Sequence, residues 1–407
     1  MNAITLSGKY NQAKVFTNMI DEESTRQIIN LLNQPIFKSS TIRIMPDVHA
    51  GKGCVIGFTA QMKDFVIPDL VGVDIGCGMH TVNLGKVDIN FKELDAYINA
   101  HIPAGYQVNQ SIDSSIDKSF VDEVERLSDL TGSSLDRNLK SISSLGGGNH
   151  FIEIGADHLE NKYLVIHSGS RNFGLQIAKY YQKEAEKQIS GTENRQQQMI
   201  NDTVQKLKEE GRQSEIEFAI QQIREESSLS SIPKEFAYLT GEKRDQYLRD
   251  SVVAVQFAAL NREKIAERIC SFLGVVPIES FPTTHNYVDK NGMVRKGAIS
   301  AKKGEQVLIP INMRDGSLLA VGKGNENWNC SAPHGAGRLM SRGSAKEQID
   351  MKTFREAMNG IYTSSVQEST LDEAPDAYKP LASITENIQE TVEIKAQNEP
   401  LYNFKAH

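Results

Sequence analysis

Cysteine is scarce in this chain: four in 407 residues, Cys54, Cys77, Cys270 and Cys330, with no pairing spacings among them. That scarcity excludes a disulfide framework. In a reducing compartment it leaves each cysteine as core filler, metal ligand or nucleophile. Long apolar runs are missing too: none approaches the ~20 residues of a membrane-spanning helix. The opening "MNAITLSGKYNQAKVF" lacks the continuous apolar core of a secretory signal, so the expectation is a cytoplasmic protein with no membrane partner. Nor is there an excess of positive charge, since 45 Lys+Arg against 52 Asp+Glu give a formal net charge of −7. This argues against wholesale coating of nucleic acid; a polyanionic partner must meet local basic groups or bound cations. No GxxxxGK[ST] is present, which excludes a P-loop nucleotidase. Internal repeats and low-complexity tracts are also absent.

What is present is organised in blocks. Residues 1–175 are rich in glycine and β-branched residues, and "TIRIMPDVH", "CVIGFTAQM", "MHTVNL" and "YLVIHSGS" read as short buried strands ending in turns. Helices are predicted over 91–101 and 117–140. Residues 176–273 carry helix formers with apolar positions at i, i+3, i+4 and i+7, punctuated by Gly191, Gly211 and Pro233. Short strands and glycine turns return over 280–345, and a tail of mixed helix follows from 346. Strand blocks interrupted by a helical block predict one α+β domain with a helical insertion.

The chemistry concentrates in turns. "VGVDIGCGMH", residues 71–80, sets Asp74 three residues before Cys77 among glycines. Glycines beside ligands let the backbone approach a bound group. Five histidines sit in comparable turns: His49 in "MPDVHAGKG", His150 in "GGGNHFIEI", His167 in "IHSGSR", His285 in "THNYV" and His334 in "PHGAGR". His101 and His158 lack that setting and are expected at the surface, and His80 is expected to be structural. Asp, Cys and several imidazoles form a mixed hard/soft set that suits Mn, Fe, Co or Zn better than Mg or Ca. The candidates are scattered from 74 to 285, which fits a site assembled by the fold rather than a local zinc clip. Basic groups in "RKGAISAKKGE" and "PHGAGRLMSR" suit phosphate, although ordinary surface turns would read the same way. The residues alone support a dinuclear-metal enzyme acting on phosphate esters.

"MPDVHAGKG", "VGVDIGCGM", "GGGNHFIE", "HSGSR", "HNYV", "RKGAISA" and "HGAGRLMSR" occur in the order found in the RtcB family of RNA ligases, which the chain resembles from about residue 40 to 345, with a shorter match in the tail. The resemblance implies one large RtcB-like catalytic domain over 1–407, with 176–273 inserted in it. It also implies a ligase dependent on GTP and two Mn²⁺ ions. The reaction would join an RNA 3′-phosphate or 2′,3′-cyclic phosphate to a 5′-hydroxyl, as in RNA repair or tRNA splicing. An activating protein such as archease is a partner that the resemblance allows.

Carried over motif by motif, Asp74, Cys77, His150, His167 and His285 resemble the manganese ligands, with Cys77 bridging. His334 resembles the nucleophile that receives GMP as a phosphoramidate, and Gly335, Ala336 and Gly337 follow it in the nucleotide-binding motif. Asn149 is then a phosphate contact. Phe151 and Glu153 stand at the guanine base, and Tyr378 and Lys405 at the distal guanosine contacts. Asp47, Arg171 and Lys296 match further active-site positions. One departure is "IPINMRDGS", which puts Asn312 where the family usually has serine. A metal-dependent phosphatase or cyclic phosphodiesterase without nucleotidyl transfer is the competing reading, and a non-catalytic RNA-binding descendant a third.

Overall fold

A computed structural model describes residues 3–227 and 232–406; residues 228–231 of the expected helical block lie outside them. The β-branched runs form two principal sheets, as the α+β expectation requires. One has six strands in the order Ile4–Ser7, Gln12–Val15, Ile42–His49, Ile56–Gln61, Met293–Lys296 and Asn286–Val288. The other has seven, in the order Glu279–Thr284, Gly78–Gly85, Lys162–Ser168, Phe151–Ala156, Val392–Lys405, Gly316–Gly322 and Gln306–Asn312. The seven-stranded sheet is antiparallel throughout and curls until its edges meet. There the Leu308 N–H donates to Thr283 Oγ1 at 3.2 Å.

Directly paired residues in adjacent strands share a face. His167 is paired with Met79 on one side and with Phe151 on the other, Phe151 with Lys405, and Glu153 with Asn403. The register of four strands therefore places distant parts of the sequence side by side on one concave surface.

The helical block differs from expectation in its divisions. A 39-residue helix, Arg171–Glu209, begins before residue 176 and runs straight through Gly191. An isolated glycine costs a helix only about 1 kcal/mol, which packing along the rest of that helix absorbs. The helix stops before Gly211, at φ +72°, and Ile216–Ser227 follows. The predicted 117–140 helix is two helices, Lys118–Thr131 and Leu135–Lys140, divided by Gly132 in the left-handed region. The tail is less helical than expected, because it ends in the 14-residue strand Val392–Lys405 inside the seven-stranded sheet.

The helix Gly241–Leu273 locks the layers together. Its Ala254 and Phe257 join Ile42, Ile44 and Phe58 of the first sheet and Phe173 and Ile177 of the long helix in one core. Ile265 and Ile269, two turns further on, join Val82, Ile152, Leu164 and Ile166 of the second sheet in another. Between those two sets lie Asn261 and Arg262, both fully buried.

Candidate metal centre and nucleotide cavity

The turn at 71–78 ends where the strand Gly78–Gly85 begins, and the Cys77 carbonyl accepts the His285 N–H at 2.9 Å. That bond fixes the "THNYV" turn against the "DIGCG" turn. The Cys77 thiol lies 3.3 Å from His167 Nε2 and 3.5 Å from His150 Nε2, and His150 Nε2 is 3.3 Å from Asp74 Oδ2. His150 Nδ1 donates to the Leu145 carbonyl at 2.9 Å and His167 Nδ1 to the Asn149 carbonyl at 3.1 Å. With Nδ1 carrying the proton, each Nε2 is left as a lone pair aimed at the thiol, which is how ligating imidazoles are oriented.

The His285 ring stands 5.2 Å from that of His167 and 4.8 Å from that of His334, so four imidazoles form a row from His150 to His334. Asp74 lies so near the "HSGSR" turn that a Cβ on Gly169 would sit 2.1 Å from its Oδ1.

Electrostatics suit a cation. Burial pushes the His167 and His285 imidazoles well below their ordinary pKa, with His150 and His334 as further causes, so both rings are neutral at pH 7 and free to offer a lone pair. Burial raises the Asp74 carboxyl, but the positive charge of nearby Arg171 and the polar surroundings at His150 outweigh it and hold the group below its usual range. Burial, with Asp74 beside it, raises the Cys77 thiol well above its ordinary value. A thiol so placed gives up its proton when a cation takes that place. The buried His285 Nδ1 finds no partner among the described residues. Cys77, His150 and His167 offer donor atoms all within 4.8 Å of one another. An orphaned buried nitrogen beside a Cys/His/Asp donor set fits a transition-metal centre.

Through His167 the cluster borders a cavity of about 590 Å³, within the range of small-molecule sites. His167 and His334 line it together with Asn149, Phe151, Glu153, Gly335, Ala336, Gly337, Tyr378 and Lys405. Asn149 is exposed at the mouth. Deep inside, Glu153 accepts hydrogen bonds from Asn403 at 3.1 Å and from Ser317 and Asn398 at 3.3 Å. Burial outweighs those bonds and raises its carboxyl to about 7. Lys405 pairs with buried Glu373 at 2.6 Å, and Glu373 also takes the Tyr378 hydroxyl at 2.7 Å. Asn312 lines the cavity while its amide donates to Asp315 at 2.8 Å and its oxygen accepts the Arg314 and Asp315 N–H groups.

His334 sits at the junction of cavity and centre. Its Nδ1 is 2.6 Å from Asp47 Oδ2. Gly337, at φ +76°, brings the turn so close that a Cβ there would lie 2.2 Å from the Asp47 carbonyl oxygen.

Two further expected active-site residues do not line the cavity. Lys296 is buried away from the cavity lining, with its ammonium on the Lys52 and Asp69 carbonyls at 2.6 and 3.1 Å. There it fastens the "HAGKG" turn to the segment before Asp74. Arg171 also stays off the cavity lining, donating to the Gly105 carbonyl at 2.9 Å behind Asp74. His101 and His158 are exposed and His80 is buried in a strand, as expected.

Other contributors carry no motif. Arg262 Nη1 donates to the Gly76 and Ser168 carbonyls at 2.9 and 2.8 Å, the residues next to Cys77 and His167. Asn261 accepts the Ser144 N–H at 3.0 Å and donates to Ser168 Oγ at 2.9 Å. Their one sequence signal is position: polar residues four after Phe257 and Ala258, on the apolar stripe that continues to Ile265 and Ile269.

A Cys/His/Asp cluster that could hold a metal ion borders a small-molecule-sized cavity in an α+β fold, the arrangement of a metal-dependent enzyme. The chain belongs to the RtcB family: the family model described as "tRNA-splicing ligase RtcB" matches residues 27–406. It is 30% identical to the RNA-splicing ligases RtcB1 and RtcB of two Escherichia coli strains, over 97% of this chain and 97% of each relative. It is 26% identical to the tRNA-splicing ligase RtcB of Aeropyrum pernix, over 84% of this chain and 83% of that protein. Among the described residues no helix is long and apolar enough to cross a membrane.

Proposed function

We propose that the chain is one catalytic domain that joins RNA 3′-phosphate or 2′,3′-cyclic phosphate ends to 5′-hydroxyl ends, using GTP and two manganese ions. The observation that carries this reading is His334, held by Asp47 at the seam between the imidazole row and the cavity. Membership of the RtcB family supports it.

Asp47 takes the Nδ1 proton as a hydrogen-bond acceptor, leaving His334 Nε2 as the attacking nitrogen. Nε2 forms a bond to the α-phosphorus of GTP and pyrophosphate leaves, so GMP rests on His334. An oxygen of the RNA 3′-phosphate then displaces His334 and takes the GMP. Finally the 5′-hydroxyl oxygen attacks that activated phosphate, losing its proton to solvent, and GMP leaves. A cyclic phosphate must first be opened by water to a 3′-phosphate.

Asp74, Cys77, His150, His167 and His285 would hold the metal ions. When bound, the ions neutralise phosphate oxygens and polarise phosphorus toward attack. That supply of positive charge is what lets a chain of net charge −7 work on RNA. Phe151, Glu153, Tyr378 and Lys405 all line the cavity, and on this reading Phe151 and Glu153 would meet the guanine base while Tyr378 and Lys405 would contact the guanosine.

The test is ligation of a cyclic-phosphate RNA to a 5′-hydroxyl RNA with GTP and Mn²⁺. A joined product that requires GTP supports the reading. Phosphate or ring-opened product without joining, and without need of GTP, would instead make the protein a hydrolase.

A further inference from the structure

The nucleophile and the acid that orients it lie 287 residues apart in the chain, on different elements. Something must hold them in register. Lys379, next to the cavity residue Tyr378, is 4% exposed and reaches away from the cavity beneath the "MPDVH" strand. Its ammonium donates to the carbonyls of Pro46 at 3.0 Å, Val48 at 2.9 Å and Met19 at 3.1 Å. Those three acceptors match the three N–H donors of a lysine. Two of them flank Asp47.

The backbone of the same residue holds the other partner. Lys379 N–H donates to the Gly337 carbonyl at 3.0 Å, and on the same ladder Leu339 N–H donates to Ala377 at 2.9 Å. The contacts close a ring: Asp47 carboxylate to His334, His334 along the turn to Gly337, Gly337 to Lys379, and Lys379 back to both peptides around Asp47. Asp47 is fully buried, and its Oδ1 finds no hydrogen-bond partner among the described residues. The position of its carboxylate therefore rests on Oδ2 and on the backbone, the part that Lys379 grips.

We propose that Lys379 is a positioning residue for His334, clamping the Asp47 peptide to the nucleophile's turn so that the imidazole keeps its line of attack. This rests on the reading of His334 as the nucleophile. Misplacement of a reacting group by about 1 Å costs on the order of 100-fold in rate. Loss of the clamp should therefore slow transfer of GMP to His334 by roughly that factor, without changing how GTP is held, because Lys379 does not line the cavity.

The experiment follows transfer of label from α-³²P-GTP to the full-length protein with Mn²⁺, in single turnover over a range of GTP concentrations. It compares the unaltered protein, Lys379→Met and Lys379→Arg. The expected result is a limiting rate constant about 100-fold lower in Lys379→Met, with the half-saturating GTP concentration and bound manganese unchanged. Should Lys379→Met fail to fold, Lys379→Arg decides. It keeps the charge but replaces the compact ammonium with a planar fork that does not fit three converging carbonyls, so its limiting rate should fall as well. Unchanged limiting rates in the variants, or a rise in half-saturating GTP that accounts for the whole loss, would overturn the proposal. No label on the unaltered protein would instead refute His334 as nucleophile, and the proposal with it.

Discussion

Asp47 Oδ2 receives both the His334 N–H, at 3.1 Å, and His334 Nδ1, at 2.6 Å, so one buried carboxylate oxygen fixes backbone and ring together. Asp47→Asn keeps the shape but offers an amide where the ring needs an acceptor. An orienting acid of this kind is worth ~10²–10⁴ in rate. Transfer of GMP to His334 should fall by that order while bound manganese stays the same, measured by label incorporation and elemental analysis on one sample. Equal loss of both would place Asp47 in metal binding instead.

Cys77 faces both His150 and His167, so its sulfur is the common donor of the cluster. Cys77→Ala should weaken Mn²⁺ binding by at least ~100-fold, more than the 10–100-fold typical of groups that only support a ligand. Equilibrium dialysis reads this directly. Two ions retained at normal affinity would contradict the bridging role.

Gly169 permits the approach of Asp74 to the 168–171 turn, where Ser170 N–H donates to Asp74 Oδ1 at 3.1 Å. An added methyl must push that carboxylate aside. Gly169→Ala is therefore expected to reduce manganese affinity ~10–100-fold and to cost about 1–3 kcal/mol of stability from overpacking. Metal titration and denaturant melts of the metal-free protein separate the two effects.

Glu153 provides the pH dependence. Burial lifts its carboxyl from 4.5 to about 7. The folded protein thus binds this proton more tightly than the unfolded chain, and the group's contribution to stability is lost as pH rises from about 4.5 through about 7. Guanosine recognition runs the opposite way, because only the carboxylate accepts base N–H groups. Guanosine, which has no phosphate to titrate, should bind about tenfold more tightly at pH 8 than at pH 6. Glu153→Gln should flatten that profile; an unchanged slope in the variant would remove Glu153 from base recognition.

Much of the site was legible because its chemistry is local. The glycine turns around Asp74 and Cys77 and the Gly-Asn-His turn mark candidate ligands at close range, and the structure brings Asp74, Cys77, His150 and His167 together. The strands that carry them were readable from β-branched runs. Other features depend on packing that no short window contains. Gly191 reads as a break, yet the helix passes through it. The tail gives little sign of a 14-residue strand, because that strand exists through its pairing with Phe151–Ala156 and Gly316–Gly322. Lys296 looks like a phosphate contact beside a glycine, but only the fold shows its ammonium spent on two carbonyls. Arg262 and Lys379 act on backbone carbonyls distant in sequence, an acceptor that every residue has and no motif can mark.

The most direct test of the account is the fate of the α-phosphate. Protein incubated with α-³²P-GTP and Mn²⁺, then digested and sequenced by mass spectrometry, should carry an acid-labile, base-stable GMP on His334. His334→Ala should keep its manganese and take no label. An unlabelled protein that still releases phosphate from RNA ends, or label on another residue with His334→Ala fully active, would contradict it.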